Sequence, residues 1–195
     1  MGTNCAPYVA NLFLHYYEDK YICELINWNR TEIALALANM FRYQDDCIVF
    51  NDDGRFGDIW REMYPAEMLL EPTSTHNTCT FLDLAISILN GKFLYKTYDK
   101  RNDYNFDIIN YPDLRSNVPR GPSYGVFTSQ LVRYCDVNCD IVNFRADVNL
   151  LIRKLVKQQF QHTILKARFK EFYGNNILRW SKFGKDIHSI LDLFS

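Results

Sequence analysis

A chain of 195 residues, 48% hydrophobic and 23% charged, has enough apolar material for one sizeable core or for two small lobes. Three Trp, 13 Tyr and 14 Phe argue against disorder, no apolar run approaches membrane-spanning length, and six cysteines at 5, 23, 47, 79, 135 and 139 form no disulfide framework. The net charge of −1 hides a gradient, since residues 1–65 hold five Lys/Arg against ten Asp/Glu and residues 141–195 hold ten against four. An acidic half suits cations and a basic half suits phosphates.

In chain order, Thr3 or Asn4 can cap a helix that tolerates Pro7 in its first turn and runs to about Ile26. Gly2, Ala6 and Ala10 are small enough to let another surface approach its start. Next comes Phe41-Arg42-Tyr43-Gln44-Asp45-Asp46, where two adjacent carboxylates stand between an aromatic-basic lead-in and the apolar run Cys47-Ile48-Val49-Phe50. Neighbouring side chains in a regular strand point to opposite faces, so Asp45 and Asp46 serve one site only at a tight turn. The pattern predicts a hairpin tip: a strand ending at Tyr43, a turn, and a buried strand after Asp46. A solvated turn is the plain alternative. The second acidic pair, Asp52-Asp53-Gly54, has the Gly of an ordinary turn, which Asp45-Asp46 lacks.

Residues 56–64 read as an amphipathic helix ending before Pro65, and Met68-Leu69-Leu70 as a strand. Phe81 to Leu89 and Lys92 to Tyr98 read as two strands joined by Asn90-Gly91, which favours a type I′ turn. Residues 111–123 are rich in Pro, Ser, Asn and Gly and read as a loop. Helices follow: one around Val126 to Tyr134, a second from Ile141 to Phe160 with Val148, Leu151, Ile152, Leu155 and Val156 on its apolar face, and a third from Ile164 to Tyr173. Arg153, Lys154, Lys157, Lys166, Arg168 and Lys170 cluster on the last two, a pattern suited to a nucleic-acid backbone or to a solvated surface. The tail from Gly174 carries no motif. Cys5 and Cys47 read as small buried residues, and Cys135-x-x-x-Cys139 lacks the second pair that zinc needs.

Gly2-x-x-x-Ala6-Pro7-x-x-Ala10-Asn11-x-x-Leu14, followed by Tyr43-Gln44-Asp45-Asp46, resembles the reverse transcriptases, in which such a helix precedes a Tyr-x-Asp-Asp hairpin. Phe81-Leu82-Asp83, then Tyr98-Asp99-Lys100-Arg101-Asn102-Asp103, is similar to segments of the Penelope-like retroelement enzymes, and the resemblance covers about residues 1–173. It implies an α+β fold: the C-terminal half of a polymerase palm over residues 1–110, antiparallel strands with packed helices, and a helical thumb-like bundle over 111–195. It also implies two-metal nucleotidyl transfer with Mg²⁺ or Mn²⁺ on Asp45 and Asp46, an RNA template, a DNA primer and deoxynucleoside triphosphates. Gly2, Ala6, Pro7 and Asn11 would then shape the nucleotide and template side. Tyr43, Gln44, Lys96 and Lys100 would lie on the primer side, although Lys96 serves equally to block an exposed strand edge.

The family's further metal-binding Asp and its fingers precede the Gly-x-x-x-Ala-Pro helix, and here only Met1 precedes Gly2. The expectation is a chain inactive alone, with a non-catalytic nucleic-acid-binding or interaction module of retroelement origin as the alternative. No signal peptide is visible, so the expected location is intracellular, nuclear or cytoplasmic, with no membrane partner.

Overall fold

The computed structural model describes residues 4–50, 54–73, 77–106, 108–184 and 188–194, and the chain divides into two compact units, Met1–Thr75 and His76–Ser195. The class is α+β, with two small antiparallel sheets among helices. The expected palm-to-thumb boundary at 110/111 falls inside the second unit, because the three-stranded sheet is compact with the helices that follow it.

In the first unit, α1 (Ala6–Asn27) carries Pro7 in its opening turn, where a missing N–H costs nothing. Its N-cap is Cys5, with no side-chain cap, so Asn4 does not play the capping role expected of it, and Thr3 lies outside the described residues. Asn29 takes φ 58°, and the Arg30 N–H closes back on the Leu25 carbonyl, ending the helix. A short α2 (Thr31–Leu37) follows, then the hairpin β1 (Met40–Tyr43) and β2 (Asp46–Val49), then α3 (Phe56–Met63). Phe56, Trp60 and Met63 recur at helical spacing and are buried with Leu14, Leu25 and Leu37.

Met68-Leu69-Leu70 is not a strand. The alternation that suggested one is real, since Met68 and Leu70 pack on the core and Leu69 is exposed, but no strand pairs with it among the described residues, and the Met68 N–H closes a turn on the Pro65 carbonyl at 2.9 Å. Instead the Trp60 indole N–H donates to the Met68 carbonyl at 3.3 Å.

In the second unit, β3 (Thr78–Phe81), β4 (Leu84–Leu89) and β5 (Lys92–Thr97) form a meander. Asn90 and Gly91 both have positive φ, 51° and 73°, the type I′ geometry that Asn-Gly favours. The run from Phe81 to Leu89 is broken, however: Leu82 and Asp83 make a second two-residue turn, with Phe81 paired to Leu84. A 3₁₀ turn (Lys100–Asp103) leads through irregular chain to α4 (Arg120–Ser123), α5 (Gly125–Val137), α6 (Ile141–Lys157) and α7 (His162–Asn175).

Phe144, Val148, Leu151, Ile152 and Leu155 form the buried face of α6. The tail is part of the same core: Trp180 of α8 (Ile177–Trp180), Phe183, Ile190 of α9 (His188–Leu191) and Phe194 are all buried. At the edge of the sheet, β5 meets the α5–α6 connection. Tyr95 C=O accepts from Cys139 N–H at 3.0 Å, and Thr97 N–H donates to the Asn138 side chain at 3.2 Å. That edge is covered there by protein backbone, which relieves Lys96 of the task of blocking it.

Candidate functional site

The carboxylate pair sits at the tip of the first unit's hairpin. Tyr43 pairs with Asp46, leaving Gln44 and Asp45 as a two-residue turn. Gln44 alone of the two has positive φ, at 54°, so the first central position is left-handed as in a type II′ turn, which normally takes Gly there. A non-glycine residue in this region carries strain of roughly 1–3 kcal/mol, and such strain concentrates at sites where geometry matters. Asp45 and Asp46 are both exposed. Cross-strand partners share a face, so Tyr43, also exposed, lies on the same side of the hairpin as Asp46.

The other face of the hairpin is fixed by Arg42. Its Nε and a terminal nitrogen donate to the two oxygens of Glu18 on α1 at 2.6 and 3.2 Å, and its second terminal nitrogen donates to Asn11 Oδ1 at 3.0 Å and Gln44 C=O at 3.5 Å. The Tyr64 hydroxyl also donates to Glu18. Burial pushes the Glu18 carboxyl up, but the Arg42 and Tyr64 hydrogen bonds outweigh it and hold the group below its ordinary value. Burial, then the Glu18 bond, raises the Tyr64 hydroxyl, while burial beside Glu18 pushes the Cys47 thiol up to about 11. Cys47 is therefore an unreactive thiol beside the carboxylates.

Neither Arg42 nor Glu18 was singled out as functional by the sequence. The available signals were an Arg two residues before the turn and a Glu among the apolar residues of α1.

Ala6, Pro7 and Asn11 are exposed on the first two turns of α1, and Gly2 lies outside the described residues. Tyr8, Val9, Leu12 and Phe13 are exposed there too, so this end of the helix presents an apolar face of the kind that marks an interaction surface. Cys5 is exposed rather than buried, at the start of α1, whose residues Ala6 to Phe13 are exposed as well.

In the second unit, Lys96 and Lys100 are exposed on β5 and on the 3₁₀ turn. That turn is closed by Tyr98, whose hydroxyl donates to Asp103 and whose N–H donates to the Asp83 carbonyl at 2.8 Å. The similar segments Phe81-Leu82-Asp83 and Tyr98-to-Asp103 are thus in contact. The six helix cations are not equivalent: Arg153, Lys157 and Lys170 are exposed, Lys154 is half-buried in a cleft, Lys166 is half-buried, and Arg168 is paired with Glu171 at 3.0 Å.

Magnesium is commonly held by one or two carboxylates plus water and substrate phosphates, and two exposed carboxylates at a turn fit that pattern. They do not fit an all-protein cage: among the described residues no three His, Cys, Asp or Glu side chains gather into a metal site. That covers Cys135 and Cys139, one buried near the Arg179 carbonyl and the other accepting from Tyr95 N–H. Among the described residues no helix is long and apolar enough to cross a membrane. No family model, curated protein or solved structure matches this chain.

Proposed function

We propose that this chain carries part of the nucleotidyl-transfer site of an RNA-directed DNA polymerase, a reverse transcriptase of the Penelope-like retroelement kind. The observation that supports it most is the Arg42–Asn11 hydrogen bond, which joins the two segments with the most specific motifs across 31 residues of sequence. In this reading the first unit supplies palm and the helices of the second supply thumb.

Asp45 and Asp46 would hold Mg²⁺ or Mn²⁺, which when bound stabilises charge on the attacking and leaving oxygens of an in-line displacement. The chain's own residues set the stage. Arg42 locks the turn to α1, Gln44 holds the strained position that brings Asp45 to the tip, and Tyr43 shares a face with Asp46 where a primer end would lie. The exposed start of α1, with Ala6, Pro7 and Asn11, would meet the nucleotide and template base. The attacking group would be a primer 3′-hydroxyl and the leaving group pyrophosphate.

Two carboxylates bind a divalent cation weakly without further oxygens, so the isolated chain is expected to be inactive until another surface contributes ligands. Backbone resonances of residues 43–47 should broaden on adding Mn²⁺ and recover in the Asp45→Asn, Asp46→Asn double variant. No selective broadening at the turn would overturn the reading. Primer extension on an RNA template with Mg²⁺ or Mn²⁺ should give no product, and robust synthesis abolished by Asp45→Asn would overturn the inactivity.

The exposed Arg153, Lys157 and Lys170 favour a second reading, a non-catalytic nucleic-acid-binding module. Salt-sensitive duplex binding indifferent to Asp45→Asn, with no metal at the turn, would select it.

A further inference from the structure

The second unit holds a small open cleft between β5, the 3₁₀ turn, α5 and α6. Its charged lining is Arg101, Arg133 and Lys154 against Asp99 and Asp147, three cations to two carboxylates. The carboxylates are already occupied. Asp99 accepts two hydrogen bonds from the Arg101 guanidinium, at 2.7 and 2.8 Å, and a third from the Arg101 N–H at 3.1 Å. Asp147 accepts from the fully buried Asn138 amide at 2.8 Å.

The cations retain capacity. Arg133 uses one terminal nitrogen on Asp83, at 2.9 Å, while its Nε is buried with no hydrogen-bond partner among the described residues. Lys154 lines the cleft, half-buried, and makes no ion pair among the described residues. A buried donor without an acceptor is costly, and an ammonium and a guanidinium sharing a cleft leave room for an oxyanion.

We infer that this cleft binds a phosphoryl group, held by the cations Lys154 and Arg133, with Asn102 and Thr97 also in its lining. The inference rests on the second unit alone and does not require Asp45 and Asp46 to bind metal. It deepens the nucleic-acid reading where the phosphoryl group belongs to a strand. Lys96 contributes to the field from β5, since its charge acts on Asp147 in the same direction as Arg133.

The test follows the Arg133 Nε–H resonance in the full chain during titration with inorganic phosphate, with pyrophosphate, and with a short RNA–DNA duplex. A saturable shift with any of them, weakened roughly tenfold by Lys154→Gln but not by Lys20→Gln, supports the site. Saturation by the duplex at lower concentration than by phosphate identifies a nucleic-acid strand as the source, and the reverse identifies a free anion. For the duplex, Lys154→Gln should also lower the salt slope by about one. Arg133→Lys keeps the charge and removes the guanidinium, so, followed by the backbone amide resonance of Lys154 instead, it too should weaken binding.

No shift with any probe, or binding indifferent to Lys154→Gln in a folded variant, overturns the inference. Asp45→Asn should leave these titrations unchanged, so failure at the turn and failure at the cleft are separately visible.

Discussion

Arg42 and Glu18 form a two-pronged ion pair in which the side chains are only 12% and 14% exposed. It joins β1 to α1, with the carboxylate pair just beyond Tyr43 and Gln44. Buried pairs of this kind add little against an apolar pair of the same size, but losing one partner strands a charge. Arg42→Ala should therefore destabilise the first unit by about 3–5 kcal/mol, and Arg42→Met with Glu18→Leu should recover most of that loss. Hydrogen exchange of the β1–β2 amides under urea measures both.

The two units should respond to acid in opposite ways at two named groups. Glu18 has its pKa lowered in the fold, so its contribution is present above the ordinary carboxylate value and is lost as pH falls through the lowered one. Asp147 is raised, first by burial, with the Asn138 and Thr97 hydrogen bonds opposing. Its contribution is present below the ordinary value and is lost as pH rises through the raised one. Comparing each wild-type stability–pH curve with that of Glu18→Gln or Asp147→Asn should show slopes of opposite sign removed. Equal slopes in variant and parent would sink the assignment.

Regular apolar spacing made α3 and α6 legible in the sequence, and Asn90-Gly91 announced its turn type. The Leu82-Asp83 turn was invisible because it lies inside a largely apolar run in which Asp83 stands alone, with no Gly, Pro or Asn to mark a turn. Helix α2 passed unnoticed, being seven residues with only Leu37 buried. At the site, the carboxylate pair and its hairpin were readable from local order. The guanidinium that fixes them was not, since its partner stands 24 residues away and only the folded chain brings them together.

The tail illustrates the same limit and gives a sharp test. Trp180 is 2% exposed and packs edge-on against Phe144, Phe169, Tyr173 and Phe183, though no periodicity precedes it. Trp180→Ala should cost about 3–5 kcal/mol, seen as earlier loss of helical circular dichroism in denaturant. Its indole N–H is buried without a partner among the described residues, so Trp180→Phe surrenders no hydrogen bond seen there and should cost much less.

Gln44 and Leu82 occupy equivalent positions in two different turns, each at positive φ, 54° and 53°, and each followed by an Asp. Left-handed backbone penalises branching at Cβ, so Gln44→Val and Leu82→Val should each destabilise their own unit by roughly 1–2 kcal/mol or more. Glycine relieves the strain at either site but adds unfolded-state freedom, so its effect on stability should be small. The functional consequences differ. If Gln44 is kept strained to present Asp45, Gln44→Gly should weaken Mn²⁺ broadening at residues 43–47 while leaving stability nearly unchanged, and Leu82→Gly should leave that broadening alone. A Gln44→Gly chain with undiminished broadening would mean that the strain serves the turn only and not the carboxylates.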